Sequence, residues 1–276
     1  MVRYQTGLKF VYPDKIDGHM IDPKQVRNVS LDGDYPFYRT SKLFRFFQNV
    51  MNCLFCIVAI PIASLRYGLK VKGRKNIRGK FAKQIKNGFV TTCNHVFDWD
   101  YLCVRASMFP RRGYFLVWIN NHYSKLGKLM RVTGSIPIPY CYEGLKKFDR
   151  DIKDMLHEKR WFHVYPEASM WYYEEDIRHY KNGTFTIAYD NNVPVVPLAI
   201  SYRPAKGIFK LWKRHGYPCV IISIGKPEWP NLSLARKDSI AELNNRVHEI
   251  TLKMKEEATP LISEEKQSKI FAEARI

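Results

Sequence analysis

From about residue 72 onward, short runs of β-branched and aromatic residues alternate with longer stretches of helical period. The strand-like runs are 89–93, 114–119, 161–165, 193–200 and 220–224. They are apolar throughout rather than alternating, as expected of strands covered on both faces. Between them, Leu145, Phe148, Ile152, Met155 and Leu156 recur at three- and four-residue steps, as do Ile240, Leu243, Val247, Ile250 and Met254. Strands alternating with helices predict an α/β fold with a mainly parallel central sheet flanked by helices. Reactive groups of such sheets gather in loops beyond the carboxyl ends of the strands. The 276 residues suffice for one such domain. It is expected over 71–256, after a lead-in and helical segment at 1–70 and before a charged tail at 257–276. The tail has a short amphipathic segment around Ile270 and Phe271.

The lead-in is polar and loop-rich to residue 40, with Pro13, Pro23 and Pro36. Between Arg45 and Arg66 no formal charge occurs, and 53–63 is nearly all apolar. A membrane span needs about 20 apolar residues. Gln48, Asn49, Asn52 and Pro61 interrupt this stretch, so an interfacial or shallowly inserted helix is expected, with a helix buried on the core as the other reading. Cys53 and Cys56 form a CxxC inside it. No second CxxC accompanies them among the six cysteines, so they are read as buried free thiols in a reducing cytoplasm, with no metal. No apolar stretch follows the first residues promptly, so a secretory leader is not expected.

Lys and Arg number 45 against 26 Asp and Glu, a net charge of +19 that attracts polyanions. Aromatics adjoin basic residues at Tyr38-Arg39, Phe44-Arg45-Phe46 and Lys210-Leu211-Trp212-Lys213-Arg214. Such stretches suit a headgroup interface or stacked bases. No zinc finger, RNA-recognition signature or basic repeat is present, so the expected partner is an anionic membrane surface and not nucleic acid. A merely solubilising basic surface is the bland alternative.

Four blocks carry chemistry. Asn94-His95-Val96-Phe97-Asp98-Trp99-Asp100 follows the strand at 89–93 and precedes a helix expected at 101–108. A carboxylate in the first turn of that helix can fold back on His95, fix its tautomer and stabilise the imidazolium, which makes the histidine a general base. Both aspartates also suit a helix N-terminus electrostatically, and Asp98 is expected to do only that or to cap the helix. Gly134-Ser135-Ile136-Pro137-Ile138-Pro139 is a turn and an extended stretch, plainly read as an edge strand. Tyr165-Pro166-Glu167-Ala168-Ser169 ends a strand with a carboxylate. Val193-Pro194-Val195-Val196-Pro197 carries two prolines, which predict an edge or bulged strand.

In this order the blocks resemble the glycerolipid acyltransferase family that includes 1-acylglycerol-3-phosphate O-acyltransferases. Its blocks are Asn-His-x4-Asp, Gly-x-Ile-Phe-Ile-x-Arg, Phe-Pro-Glu-Gly-Thr-Arg-Ser and Val-Pro-Ile-Val-Pro. Asn94, His95 and Asp100 match the first, and Gly134, Ile136 and Ile138 the second. Pro166 and Glu167 match the third, with Tyr165 and Ser169 as near replacements, and 193–197 matches the fourth. Lys181-Asn182-Gly183 resembles the family's Lys-x-Gly. The resemblance spans about 70–225.

The resemblance implies an O-acyltransferase that moves a fatty acyl group from acyl-CoA or acyl-carrier protein to a lysophospholipid hydroxyl, foremost 1-acylglycerol-3-phosphate, at the cytoplasmic face of a membrane. His95 is then the general base and Asp100 its orienter. Asn94, Gly134, Ile136, Glu167, Ser169 and Lys181 form the substrate site, and no cofactor or metal is needed. Oxyanion donors are expected at 98–101 or 134–137. No Gly-x-Ser-x-Gly elbow is present to carry an acyl-enzyme. Tyr140 and Met170 stand where the family has arginines, and Ala168 where it has glycine. Arginine bonds phosphate in a way neither replacement can. Either Arg131, Arg178 or Lys181 serves instead, or the acceptor is a sugar, amino-lipid or other lysolipid. A non-catalytic basic membrane-binding protein is the remoter alternative.

Overall fold

Neighbouring residues of the apolar runs pack into two separate cores. Phe89, Trp161 and Val196 lie in one, and Val90, Phe162 and Val195 in the other. A strand turns successive side chains to opposite faces, so the split marks a sheet buried on both sides. A computed structural model describes residues 1–16, 18–21, 31–212 and 217–273; Pro23, Lys213 and Arg214 lie outside the described residues. The strands are β1 (Val2–Arg3), β2 (Lys70–Lys72), β3 (Phe89–Thr92), β4 (Gly113–Val117), β5 (Ser135–Pro137), β6 (Trp161–Val164), β7 (Val195–Arg203), β8 (Cys219–Ile224) and β9 (Leu261–Ile262).

Strands β2 to β8 form one sheet in the order β2-β8-β7-β3-β6-β4-β5. Its pairings are parallel except β7 with β8. The fold is therefore α/β, with a mainly parallel sheet flanked by helices. The helices Tyr142–His157, Gly183–Asp190 and Arg236–Ala258 bring Ile152, Phe185 and Leu243 to one core, and Asp100–Met108 brings Val104 and Met108 to the other. β5 is an edge strand. The edge position expected for the proline-bearing run is corrected, because β7 lies inside the sheet between β8 and β3. Pro194 precedes the strand and contributes only its carbonyl, which accepts from Val90 N at 3.0 Å. Pro197 falls just beyond the Leu198↔Ile224 pair, so its missing N–H is lost at the end of a ladder and not within it.

Lys42–Leu54, a π turn at Phe55–Ala59 and Ile60–Tyr67 join into one rod of 26 residues. Ser41 Oγ caps it by accepting from Phe44 N at 3.3 Å, and Gly68, at φ 55°, ends it. The π turn lies just ahead of Pro61, which has no N–H to give. Gln48 and Asn52 of the rod face the protein and are buried. Arg105 Nη2 donates to Asn52 Oδ1 at 2.6 Å, and Arg112 bonds Gln48 and Asn49. Phe46, Phe47, Leu54, Ile57, Ile62 and Leu65 face outward and are exposed. The reading of a helix buried on the core is thereby corrected, and so is that of a buried CxxC: Cys53 is exposed and Cys56 half-buried. Among the described residues this is the helix long and apolar enough to cross a membrane, by length and composition.

The lead-in and tail are tied together and to the domain. β1 pairs with β9, and Leu31, Phe37 and Tyr38 enter the core. Tyr38 N donates to Asp151 Oδ2 at 3.0 Å.

Candidate active site

β3 and β6 are parallel neighbours with Thr92 opposite Val164. Three residues further on, both chains leave the sheet side by side, and His95 N donates to Glu167 Oε2 at 3.2 Å. Asp100 begins the next helix and folds back on the loop. Its Oδ2 lies 2.8 Å from His95 Nδ1 and accepts from Val96 N at 2.9 Å and Phe97 N at 3.4 Å. Its Oδ1 accepts from Tyr165 OH at 2.6 Å. Asp100 is wholly buried, whereas a quarter of the His95 side chain is exposed. A carboxylate that meets only donors assigns the imidazole proton to Nδ1. Nε2 is left with its lone pair, and no described residue hydrogen-bonds it. The Tyr165 ring stacks on the imidazole, 4.0 Å between centroids and 12° between planes.

Asp98 is not part of this pair. Tyr172 OH donates to its two oxygens at 3.0 and 3.1 Å. Nor does it cap the helix as expected, because the N-cap position is Trp99, without a side-chain bond.

His95 opens onto a cavity of about 800 Å³. Much of the wall is apolar, with Tyr101, Phe115, Val117, Met130, Phe148 and Ile187 prominent. Ser169 and Lys181 also line it, as do Tyr140 and Met170 at the two positions where arginines were expected. The other four expected substrate residues stand behind the wall. Asn94 is fully buried and clamps β3 to β7, with Oδ1 accepting from Ile200 N at 2.8 Å and Nδ2 donating to Ile200 O at 3.1 Å. Gly134 takes φ 111° at the end of Gly127–Thr133, where a Cβ would come within 2.8 Å of Gly113 O. Ile136 belongs to the core. Glu167 is sealed against Arg178, whose Nη2 donates to Oε2 at 2.7 Å and whose backbone N donates to Oε1 at 3.1 Å. Burial pushes the Glu167 carboxyl up, opposed by that guanidinium.

The cations offered in place of the arginines are thereby sorted. Arg178 is spent on Glu167 and on Ser169, whose Oγ accepts from Nη1 at 2.5 Å. Arg131 lies over the Tyr35 ring at 4.9 Å and does not line the cavity. Lys181 does. Of the two places expected to supply oxyanion donors, 134–137 leads into β5 off the cavity, and the helix start at Asp98, Asp100 and Tyr101 borders it.

Sequence reasoning missed the Tyr165 hydroxyl, which was visible only as a departure from phenylalanine. An apolar groove for the acyl chain was expected, but none of its wall residues could be named, because they have the same pattern as core.

The acyltransferase family model matches residues 68–201. No match was found among curated proteins. Among solved structures, a 1-acyl-sn-glycerophosphate (LPA) acyltransferase, PlsC, from Thermotoga maritima is similar at 16% identity, with a TM-score of 0.48; the match covers 78% of this chain and 96% of that one. The segment matched by the family model runs from just before β2 into β7 and takes in all four motif blocks, with His95, Asp100, Tyr165, Glu167 and Lys181: the chain carries an acyltransferase-family domain and is an acyltransferase.

Proposed function

We propose that this acyltransferase moves a fatty acyl group from acyl-CoA or acyl-carrier protein to a lysophospholipid hydroxyl, foremost that of 1-acylglycerol-3-phosphate, in phospholipid synthesis. The observation that carries the reading is a His95–Asp100 pair whose free Nε2 opens on a largely apolar cavity. The acyl chain lies along Phe115, Val117, Phe148 and Ile187. His95 Nε2 takes the proton of the acceptor hydroxyl while its oxygen attacks the thioester carbonyl. The tetrahedral oxyanion collapses, the C–S bond breaks, and the imidazolium returns the proton to the leaving thiolate. Asp100 keeps Nδ1 protonated and steadies the imidazolium, and such general-base help is worth about 10²–10⁴-fold. Lys181 and Ser169 meet the acceptor's polar head, and N–H groups at the helix start near Asp100 face the oxyanion.

The outward apolar side of the Lys42–Tyr67 rod supports peripheral, shallowly inserted attachment to a membrane, and the free cysteines favour its cytoplasmic face. The +19 charge favours an anionic leaflet.

A second reading, with a non-phosphate acceptor, is favoured by Tyr140 and Met170 on the cavity wall. Purified protein supplied with acyl-CoA or acyl-carrier protein and a lysolipid panel distinguishes them by product mass. Diacylglycerol phosphate as the main product supports the first reading; acylation of only uncharged or amino acceptors replaces it with the second.

A further inference from the structure

The third motif block of the resembled family opens on phenylalanine, and this chain has Tyr165 there. The added hydroxyl donates to Asp100 Oδ1 at 2.6 Å, while Oδ2 of the same carboxylate holds His95 Nδ1 at 2.8 Å. The ring lies flat against the imidazole. On another side His163 meets the Tyr165 ring edge-on, 4.5 Å between centroids, and is itself fixed by Thr91 Oγ1 at 2.8 Å. From these contacts we propose that Tyr165 is a positioning residue for acyl transfer: its hydroxyl holds Asp100 and shares its charge, and its ring holds the His95 imidazole. The inference rests on the reading of His95 as the general base.

A buried carboxylate with one strong partner concentrates its charge on the oxygen facing that partner. A second charge-assisted bond draws charge to the other oxygen. The Tyr165 bond therefore weakens the pull of Asp100 on the His95 Nδ1 proton, which leaves the imidazolium readier to give its Nε2 proton to the leaving thiolate. Burial and then the Asp100 carboxylate push the phenol well above its ordinary range, so it stays a donor. The stacked ring also favours the imidazolium once it forms. The other titratable neighbours are Glu167 with its Arg178, His163 behind the ring, and the buried thiols Cys93 and Cys103. Lys181 shares the cavity.

The test uses the full chain as wild type, Tyr165→Phe, Tyr165→Leu and His95→Ala. Tyr12→Phe serves as a control that loses a hydroxyl bonded to Tyr172 O, off the cavity. Tyr165→Phe keeps the ring and restores the family's own residue, so folding is preserved. The low-field proton resonance of imidazole Nδ1–H is identified by its loss in His95→Ala. It is expected to move downfield in Tyr165→Phe and to stay in place in Tyr12→Phe. In acyl transfer from acyl-CoA, Tyr165→Phe is expected to lower kcat about tenfold at unchanged KM. The acid limb of its pH–rate profile is expected to move about half a unit to higher pH. Tyr165→Leu, which also loses the stacked ring, falls further. A Tyr165→Phe resonance at the wild-type position overturns the inference, whatever the rates do. A wild type that transfers no acyl group defeats the reading of His95 as base, while the resonance still decides whether Tyr165 acts on the pair.

Discussion

At Asp100 four donors meet one carboxylate, and that convergence decides which nitrogen of His95 holds the proton. Asparagine there would present an amide NH2 to at least one of those donors and favour the other imidazole tautomer. Asp100→Asn is expected to slow thiol release from acyl-CoA by about 10²–10⁴-fold with little change in secondary structure by circular dichroism. A second local effect lies three residues past Tyr165. Ala168 holds φ 62°, in the left-handed region where a side chain is strained and where the resembled family has glycine. Ala168→Gly relieves that strain at some cost in unfolded-state freedom. The net expectation is a gain of about 0.5–1 kcal/mol in urea denaturation. A loss of stability would mean that the Ala168 methyl packs usefully against the cavity.

The Lys42–Tyr67 rod inverts the usual arrangement of a surface helix. Gln48 and Asn52 are buried against Arg105 and Arg112, and phenylalanines and isoleucines face out. Burial holds the Arg105 guanidinium down to about 10, and its bonds to Asn52 Oδ1 and Thr133 O satisfy it there. Because Phe46 and Ile57 are largely exposed, Phe46→Glu with Ile57→Glu is expected to leave the unfolding free energy in urea within about 0.5 kcal/mol of wild type. The same pair is expected to weaken cosedimentation with phosphatidylglycerol vesicles at least about tenfold. Undiminished binding would place the membrane contact elsewhere. In the sequence Gln48, Asn49 and Asn52 read as flaws in an apolar stretch. Periodicity shows that a helix has two sides, but not which one meets the protein, because Arg105 and Arg112 lie more than fifty residues away in the chain. The same limit explains β7, where two prolines argued for an edge and their placement before the strand and at a ladder end allowed an interior position. The alternation of strands and helices, by contrast, was legible because it depends on local patterning alone.

At the scale of the whole molecule, two of the described histidines are held well below the ordinary imidazole range. Burial lowers His163 to about 3; burial, then Arg131 and Arg39, lower His122 to about 4. His122 is held by Tyr35 OH at 2.8 Å and Ser135 Oγ at 3.2 Å. An unfolded imidazole takes up its proton near 6.5. Below that value the unfolded chain binds more protons than the folded one, so stability falls as pH falls toward 4 and then 3. Each histidine contributes up to about 1.4 kcal/mol per pH unit. Urea midpoints are therefore expected to drop between about pH 7 and pH 5, with a shallower slope in a His122→Asn, His163→Asn double variant; an unchanged slope would remove these two groups as the cause. At this scale the candidate site was partly legible. His95 and Asp100 stood out because the pair is local and chemical. The cavity did not, because Phe115, Phe148 and Ile187 look like core until the sheet and helices bring them around His95. The account as a whole depends on His95 performing acyl transfer. The most direct measurement is product mass spectrometry of purified wild type and folded His95→Ala protein, each given acyl-CoA or acyl-carrier protein and 1-acylglycerol-3-phosphate. The account predicts a diacyl product from the wild type and none above background from His95→Ala; comparable product from both would contradict it.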